Sequence, residues 1–198
     1  YRDATSAAYN NLKNILEAAG YTVYSSTSTT VSSTDVSGMD LVIDLAGTSN
    51  CGSSCRSVYD SYVDGGGTLI ISAPYGATNR IGNIETLIES TMGVGYMTVA
   101  GGCDTCYVSV AVGNYASSTS SENTLPGPDH VFSASGGEAM AAQSSTSSWY
   151  TWYAWNYGDG QVIVTFGYGQ FSSTHTYADN METFLTTATS DTQPTPIY

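Results

Sequence analysis

Apolar and polar positions between Gly38 and Asn79 follow a strand, helix, strand rhythm. Met39 to Ala46 is a nearly continuous apolar run closed by Gly47-Thr48-Ser49-Asn50, the pattern of a strand covered on both faces. Cys55, Val58, Tyr59, Tyr62 and Val63 then recur at helical spacing, and Gly65-Gly66-Gly67 ends that helix before Thr68 to Ser72 resumes the apolar run. This is one βαβ unit, and the right-handed crossover rule makes its two strands parallel.

The remaining chain extends the pattern. Tyr1 to Gly20 reads as a helix with Ala8, Leu12, Ile15, Leu16 and Ala19 as its apolar stripe, followed by a short strand at Tyr21 to Tyr24. Ser25 to Ser37 has no period and reads as a surface loop open to O-glycosylation. Asn79 to Met92 is a further helix, with Ile81, Ile84, Leu87, Ile88 and Met92 inward. Strands at Gly95 to Ala100 and Tyr107 to Val112 are expected to form a hairpin, inserted into the sheet or added at its edge. A second hairpin joins Trp149–Trp155 to Gln161–Phe166 through Gly158-Asp159-Gly160, and Ala178 to Thr187 forms a closing helix. The expectation is a single α/β domain over residues 1–190. It would be a three-layer sandwich with a mostly parallel sheet and an added antiparallel hairpin region, carrying an insertion at about 93–150, with 191–198 as a tail or linker.

In such a sheet the first helix follows a central strand, yet here the helix comes first. An unfilled central slot would leave backbone groups unpaired at about 1–3 kcal/mol for each buried one. The candidates to fill it are residues upstream of Tyr1, the segment Thr195–Tyr198 (whose apolar part is short for the task), or a strand donated by another subunit.

Composition narrows the function. Four Lys and Arg residues face 17 Asp and Glu, for a net charge of −13, so nucleic acid and anionic membrane surfaces are not expected partners. No stretch is long and apolar enough for membrane insertion, and no signal peptide stands at Tyr1, so a secreted protein would be seen here as its mature form or an excerpt. Polarity rests on Ser, Thr and 16 Tyr, which suits a secreted or cell-surface protein. Cys51 with Cys55 and Cys103 with Cys106 form two close pairs, read first as local disulfides. A zinc site built from both pairs is the second reading, without a neighbouring His, and cross-pairing of the loops stays open. No metal site or cofactor is assigned beyond a weak Ca2+ held by a loop such as Cys103-Asp104-Thr105.

Four segments carry a family resemblance: Leu12–Gly20, Ser37–Asp44, Tyr62–Ser72 and Gly160–Gly167. In that order they resemble the class I glutamine amidotransferase-like fold, in particular its ThuA-like, non-amidotransferase members. The resemblance implies a flavodoxin-like scaffold with any ligand cleft at the carboxyl ends of the strands. Where the family places a cysteine nucleophile in a Gly-x-Cys-x-Gly elbow, this chain has Ser72-Ala73-Pro74-Tyr75-Gly76, and no His or Glu stands near Gly167-Tyr168-Gly169-Gln170. Without nucleophile or base the family's chemistry is lost, so no catalytic residue is assigned and no enzyme is expected.

The candidate cleft would gather Asp44, Asn50, Tyr75, Arg80, Tyr168 and His175. Against a catalytic role, Asp44 can cap a helix and Arg80 can pair at the surface with Glu85 or Asp64. His130 follows a turn and is expected to pack there. Trp149, Trp152 and Trp155 share a strand whose two faces both carry aromatics; one face would be core, the other a subunit interface or glycan platform. The expected function is a non-enzymatic extracellular structural subunit (filament, sheath, appendage or adhesion module) that self-associates into a homopolymer, with strand donation as one means. The alternative is a carbohydrate-binding or carbohydrate-active module.

Overall fold

The computed structural model describes residues 6–26, 28, 30–45, 52–74, 76–102, 109–118, 124–126, 128–144, 147–167, 169–171 and 178–190. The opening helix α1 (Ser6–Ala18) turns Ala8, Leu12, Ile15 and Leu16 inward, as the sequence stripe requires. Gly20, at φ 95°, follows its end, and the Tyr21 N–H donates back to the Leu16 carbonyl at 3.0 Å. The chain then runs irregularly to the short helix α2 (Ser33–Val36). Strand β1 (Leu41–Asp44), helix α3 (Ser53–Asp64) and strand β2 (Thr68–Ala73) form the expected parallel βαβ unit. Helix α4 (Thr78–Thr86) continues into a π-helical stretch, Leu87–Thr91.

Beyond this point the parallel plan ends. Strands β3 (Tyr96–Gly102), β4 (Ser109–Ala111), β5 (Thr124–Leu125), β6 (His130–Ser135) and β7 (Glu138–Ala142) join the same sheet, followed by β8 (Tyr150–Tyr157) and β9 (Gly160–Phe166). Helix α5 (Ala178–Ser190) comes last. The sheet runs β1-β2-β9-β8-β7-β4-β5, with β6 against β8 and β3 against β6.

Only β1–β2 and β2–β9 pair in parallel; every other pairing among the described residues is antiparallel. The expected three-layer sandwich with a mostly parallel sheet is therefore corrected to a curled, mixed sheet of nine strands with few helices. The flavodoxin-like, amidotransferase-like assignment falls with it. The physical reason is the connections, because a two-residue turn can only reverse a strand. Gly158-Asp159 joins β8 to β9 with Gly158 at φ 56°, a value glycine adopts without strain. The expected hairpin between residues 95–100 and 107–112 does not form: β3 pairs with β6, and β4 with β5 and β7.

Apolar residues pack on both faces of the sheet. Ile70, Ile163 and Trp152 meet α1 and α5 on one face, while Leu69, Ile71, Val162, Val164 and Trp155 meet α3 and α4 on the other. β2 is buried along its whole length; Leu41, Val42 and Ile43 of β1 are only half-buried.

Candidate functional site

Asp44 ends β1, and Arg80 sits in the first turn of α4, just after β2. The parallel register lays Asp44 beside Ile71, one residue before Ser72, so both carboxyl-terminal strand ends lie under α4. There the Arg80 guanidinium reaches Asp44 Oδ1 at 3.0 Å, with the side chains only 2% and 7% exposed. Arg80 Nε donates to the Ser72 carbonyl at 2.6 Å and Nη2 to the Asp44 carbonyl at 3.1 Å. Tyr59, on the buried stripe of α3, donates its hydroxyl to Asp44 Oδ2 at 2.7 Å.

Each carboxylate oxygen of Asp44 thus has its own donor, and the Arg80 charge is spread over one carboxylate and two carbonyls. Removing two charges from water costs several kcal/mol each, and only such complete pairing offsets it. The cavity beside Arg80, lined also by Arg56, Tyr59 and Asn83, measures about 10 Å³, room for one water at most. A substrate does not fit there. Arg80 pairs inward with Asp44, and not with Glu85 or Asp64 at the surface as expected; Glu85 instead accepts the Val99 N–H at 3.3 Å, and burial raises its pKa.

The opposite face of the sheet carries an uncharged counterpart. Trp152 Nε1 donates to Gln170 Oε1 at 3.1 Å, and Gln170 Nε2 donates to Thr165 Oγ1 at 3.0 Å and to the Gly167 carbonyl at 2.7 Å. Ser109 and Thr151 hydroxyls meet at 2.6 Å in the same layer. Gln170 and Thr151 are buried with their partners satisfied, so this network fixes strand ends and offers nothing to solvent.

His130 opens β6 and lies buried against the Phe166 ring, centroids 5.6 Å apart. Burial lowers its pKa, which keeps the imidazole neutral. Beside it, Gly167 sits at φ 90°, and a Cβ there would come within 2.6 Å of the Asp129 carboxyl carbon. Among the described residues no group of three or more His, Cys, Asp or Glu side chains is placed to hold a metal ion.

Of the remaining sequence candidates, Asn50, Tyr75, Tyr168 and His175 lie outside the described residues. Cys55 is buried and disulfide-bonded, while Cys51, Cys103 and Cys106 lie outside the described residues, as does the Cys103-Asp104-Thr105 loop proposed for Ca2+. Trp149, Trp152 and Trp155 do not make one exposed platform: Trp152 is core on one sheet face and Trp155 on the other, leaving Trp149 at 40% exposure. Tyr59 was not singled out for chemistry because its helical spacing marks it as core; its place across from a strand-end aspartate was the only signal.

A second feature lies at the other side of β1. Two cavities, of about 100 and 270 Å³, both border Tyr24, Met39, Leu41 and Ile43. They flank the edge where, among the described residues, β1 has no strand neighbour. Among the described residues no helix is long and apolar enough to cross a membrane.

No protein-family model matches the chain, and no curated protein matches its sequence. Solved structures do share its fold. The mmIFT52 N-terminal domain aligns over 96% of this chain and 91% of its own, at 18% identity and TM-score 0.71. The exo-β-1,4-mannosidase Op5Man5 from Opitutaceae bacterium strain TAV5 aligns over 96% of this chain at 14% identity and TM-score 0.54, and a β-galactosidase from Rahnella sp. R3 over 98% at 15% and 0.56. The chain spans only 31% and 29% of those two enzymes. At these identities what is shared is the fold: a mixed sheet of the kind seen in the mmIFT52 N-terminal domain, in place of the amidotransferase-like scaffold expected from the sequence.

Proposed function

We propose that this chain is a non-enzymatic, extracellular structural subunit, part of a filament, sheath, appendage or adhesion module, that works through contacts with other polypeptides. The observation that carries the reading is the closure of the Asp44–Arg80–Tyr59 cluster. The acid and the cation that a catalytic cleft would need are joined to each other and buried; Arg80 has about 10 Å³ beside it, and although Asp44 and Tyr59 also border the larger cavity along β1, both Asp44 carboxylate oxygens are taken, by Arg80 and Tyr59. A general acid or base must reach a substrate atom, and these groups are committed to one another and to the Ser72 and Asp44 carbonyls. The disulfide at Cys55 and the ion-poor, hydroxyl-rich composition support an oxidising, extracellular setting. The domain-length likeness to a non-glycosidase domain supports a role outside catalysis.

Electron microscopy and native mass measurement of the full chain test it. Polymers or defined oligomers are expected; a strictly monomeric protein at high concentration sinks the reading. A carbohydrate-binding or carbohydrate-active module is the second reading, favoured by exposed Trp149 and by the glycosidases among the structural neighbours. A glycan-array signal abolished by Trp149→Ala would put it first.

A further inference from the structure

β1 is built like an interior strand but stands at an edge. The Thr68 N–H donates to the Asp40 carbonyl at 3.1 Å, so the backbone groups of Asp40, Val42 and Asp44 face β2. Those of Leu41 and Ile43 face the other way, where no described strand pairs. Natural edge strands are kept short or blunted by charge, proline or a bulge; β1 is four residues long and ends in buried Asp44, but Leu41-Val42-Ile43 itself carries no charge or proline.

Beyond that edge the chain after α1, Tyr21–Ser26, runs irregularly without pairing to β1. Tyr21 and Val23 pack against the same core as Leu41 and Ile43, and Tyr24, at 73% exposure, stands beside both cavities. The two cavities share Tyr24, Met39, Leu41 and Ile43, so both open on the same stretch of β1, and together they are called the slot. On the α1 side the walls are apolar, chiefly Leu12, Leu16 and Leu45, with Lys13 at the rim paired to Glu17 at 3.6 Å. On the α3 side the lining is mixed: Ser28, Thr30 and the Asp35 carboxylate stand beside Val31, Val36 and Val42. Asp35 accepts the Ser32 N–H at 2.8 Å and the Ser32 hydroxyl at 2.7 Å, and these bonds lower its pKa and keep it ionised. Asp44, on the same side, is already neutralised by Arg80.

We propose that this slot accepts an extended segment of another polypeptide as an added β-strand beside β1. Its side chains would alternate, apolar toward α1 and hydroxyl or basic toward Asp35. Alternate residues of a strand point to opposite faces, so one set would meet the apolar lining on the α1 side and the other the hydroxyls and the Asp35 carboxylate of the mixed lining. The outward backbone groups of Leu41 and Ile43 supply the ladder, and the single unneutralised carboxylate sets the charge preference. The proposal deepens the assembly reading and rests on it for the source of the strand.

The test is amide hydrogen exchange on the full chain with a capped eight-residue probe peptide alternating valine and lysine. Exchange at Leu41 and Ile43 is expected to slow by about tenfold or more at saturating peptide, with little change in β9. A valine–glutamate version should bind about tenfold more weakly, and a probe N-methylated along one edge should give no protection. The Ile43→Pro variant removes an outward N–H while leaving the β2 ladder intact, so it should fold and lose the effect. Equal binding of the methylated probe, or no slowing at either residue, overturns the proposal without relying on any variant's folding. Leu41 and Ile43 amides already protected in the free monomer also overturn it, because the chain's own residues would then fill the slot. Polymers seen by microscopy with those amides unprotected sink the slot and leave the assembly reading standing; protection by the probe in a strictly monomeric protein does the reverse.

Discussion

β2 has two neighbours, both parallel to it, and they have opposite fates. β9 is buried from Val162 to Phe166, because helices cover both faces and β8 pairs its far edge. β1 offers as apolar a sequence, Leu41-Val42-Ile43, yet stays half-buried because nothing described pairs its far edge. A strand's burial depends on three neighbours, two faces and a second edge, and β1 lacks the last. At its carboxyl end β1 is nonetheless closed by Asp44, so one short strand joins the most tightly locked polar cluster to the most open edge.

Four substitutions probe that contrast. Arg80→Ala should have the largest effect, about 3–5 kcal/mol, because it strands the Asp44 carboxylate without its cation. Denaturant unfolding would show it as a lowered midpoint, and a loss under about 1 kcal/mol would mean the pair is solvated and the cluster open. Next, Ile163→Ala in β9 should cost about 2–5 kcal/mol, whereas Ile43→Ala in β1 should cost about 1 kcal/mol, since less surface leaves water there. Equal losses would break the comparison outright. Tyr59→Phe should cost about 1.5–3 kcal/mol by removing a hydrogen bond to a charged group, with helix content unchanged by circular dichroism.

Local chemistry made part of this readable in advance. The α1 stripe, the α3 crossover and the Gly158-Asp159 hairpin all come from residues close in sequence, and all three form. The strands β3 to β7 did not follow from pattern, because their partners are remote: Tyr96 opposes Ser135, and Val110 opposes both Thr124 and Ala142. Short runs such as Ser109-Val110-Ala111 carry too little periodicity to declare a partner. The resemblance to the amidotransferase-like fold rests on the end of α1 and on segments holding β1, β2 and β9, the three strands that do run parallel, and contains none of the other strands. Asp44 and Arg80 were each visible as cleft candidates, but their direct pairing was not, since it depends on how α4 folds back over the strand ends.

The smallest effect is the one that reports on β9's end alone. His130 packs on Phe166, the last residue of β9, and burial depresses its pKa in the folded state. The unfolded chain therefore binds a proton at this site more readily than the native one, so stability rises with pH across the interval between the two pKa values. The contribution is complete above the unfolded value, near 6.5, and is lost as pH falls from there toward the depressed folded value. Most carboxylates titrate below that interval, which separates the histidine from the acidic background. Unfolding midpoints measured between about pH 5 and 7.5 should decline toward the acid side in the native chain and flatten in His130→Phe. A slope that survives the substitution would place the titrating group elsewhere and show that the end of β9 is wetter than its burial implies.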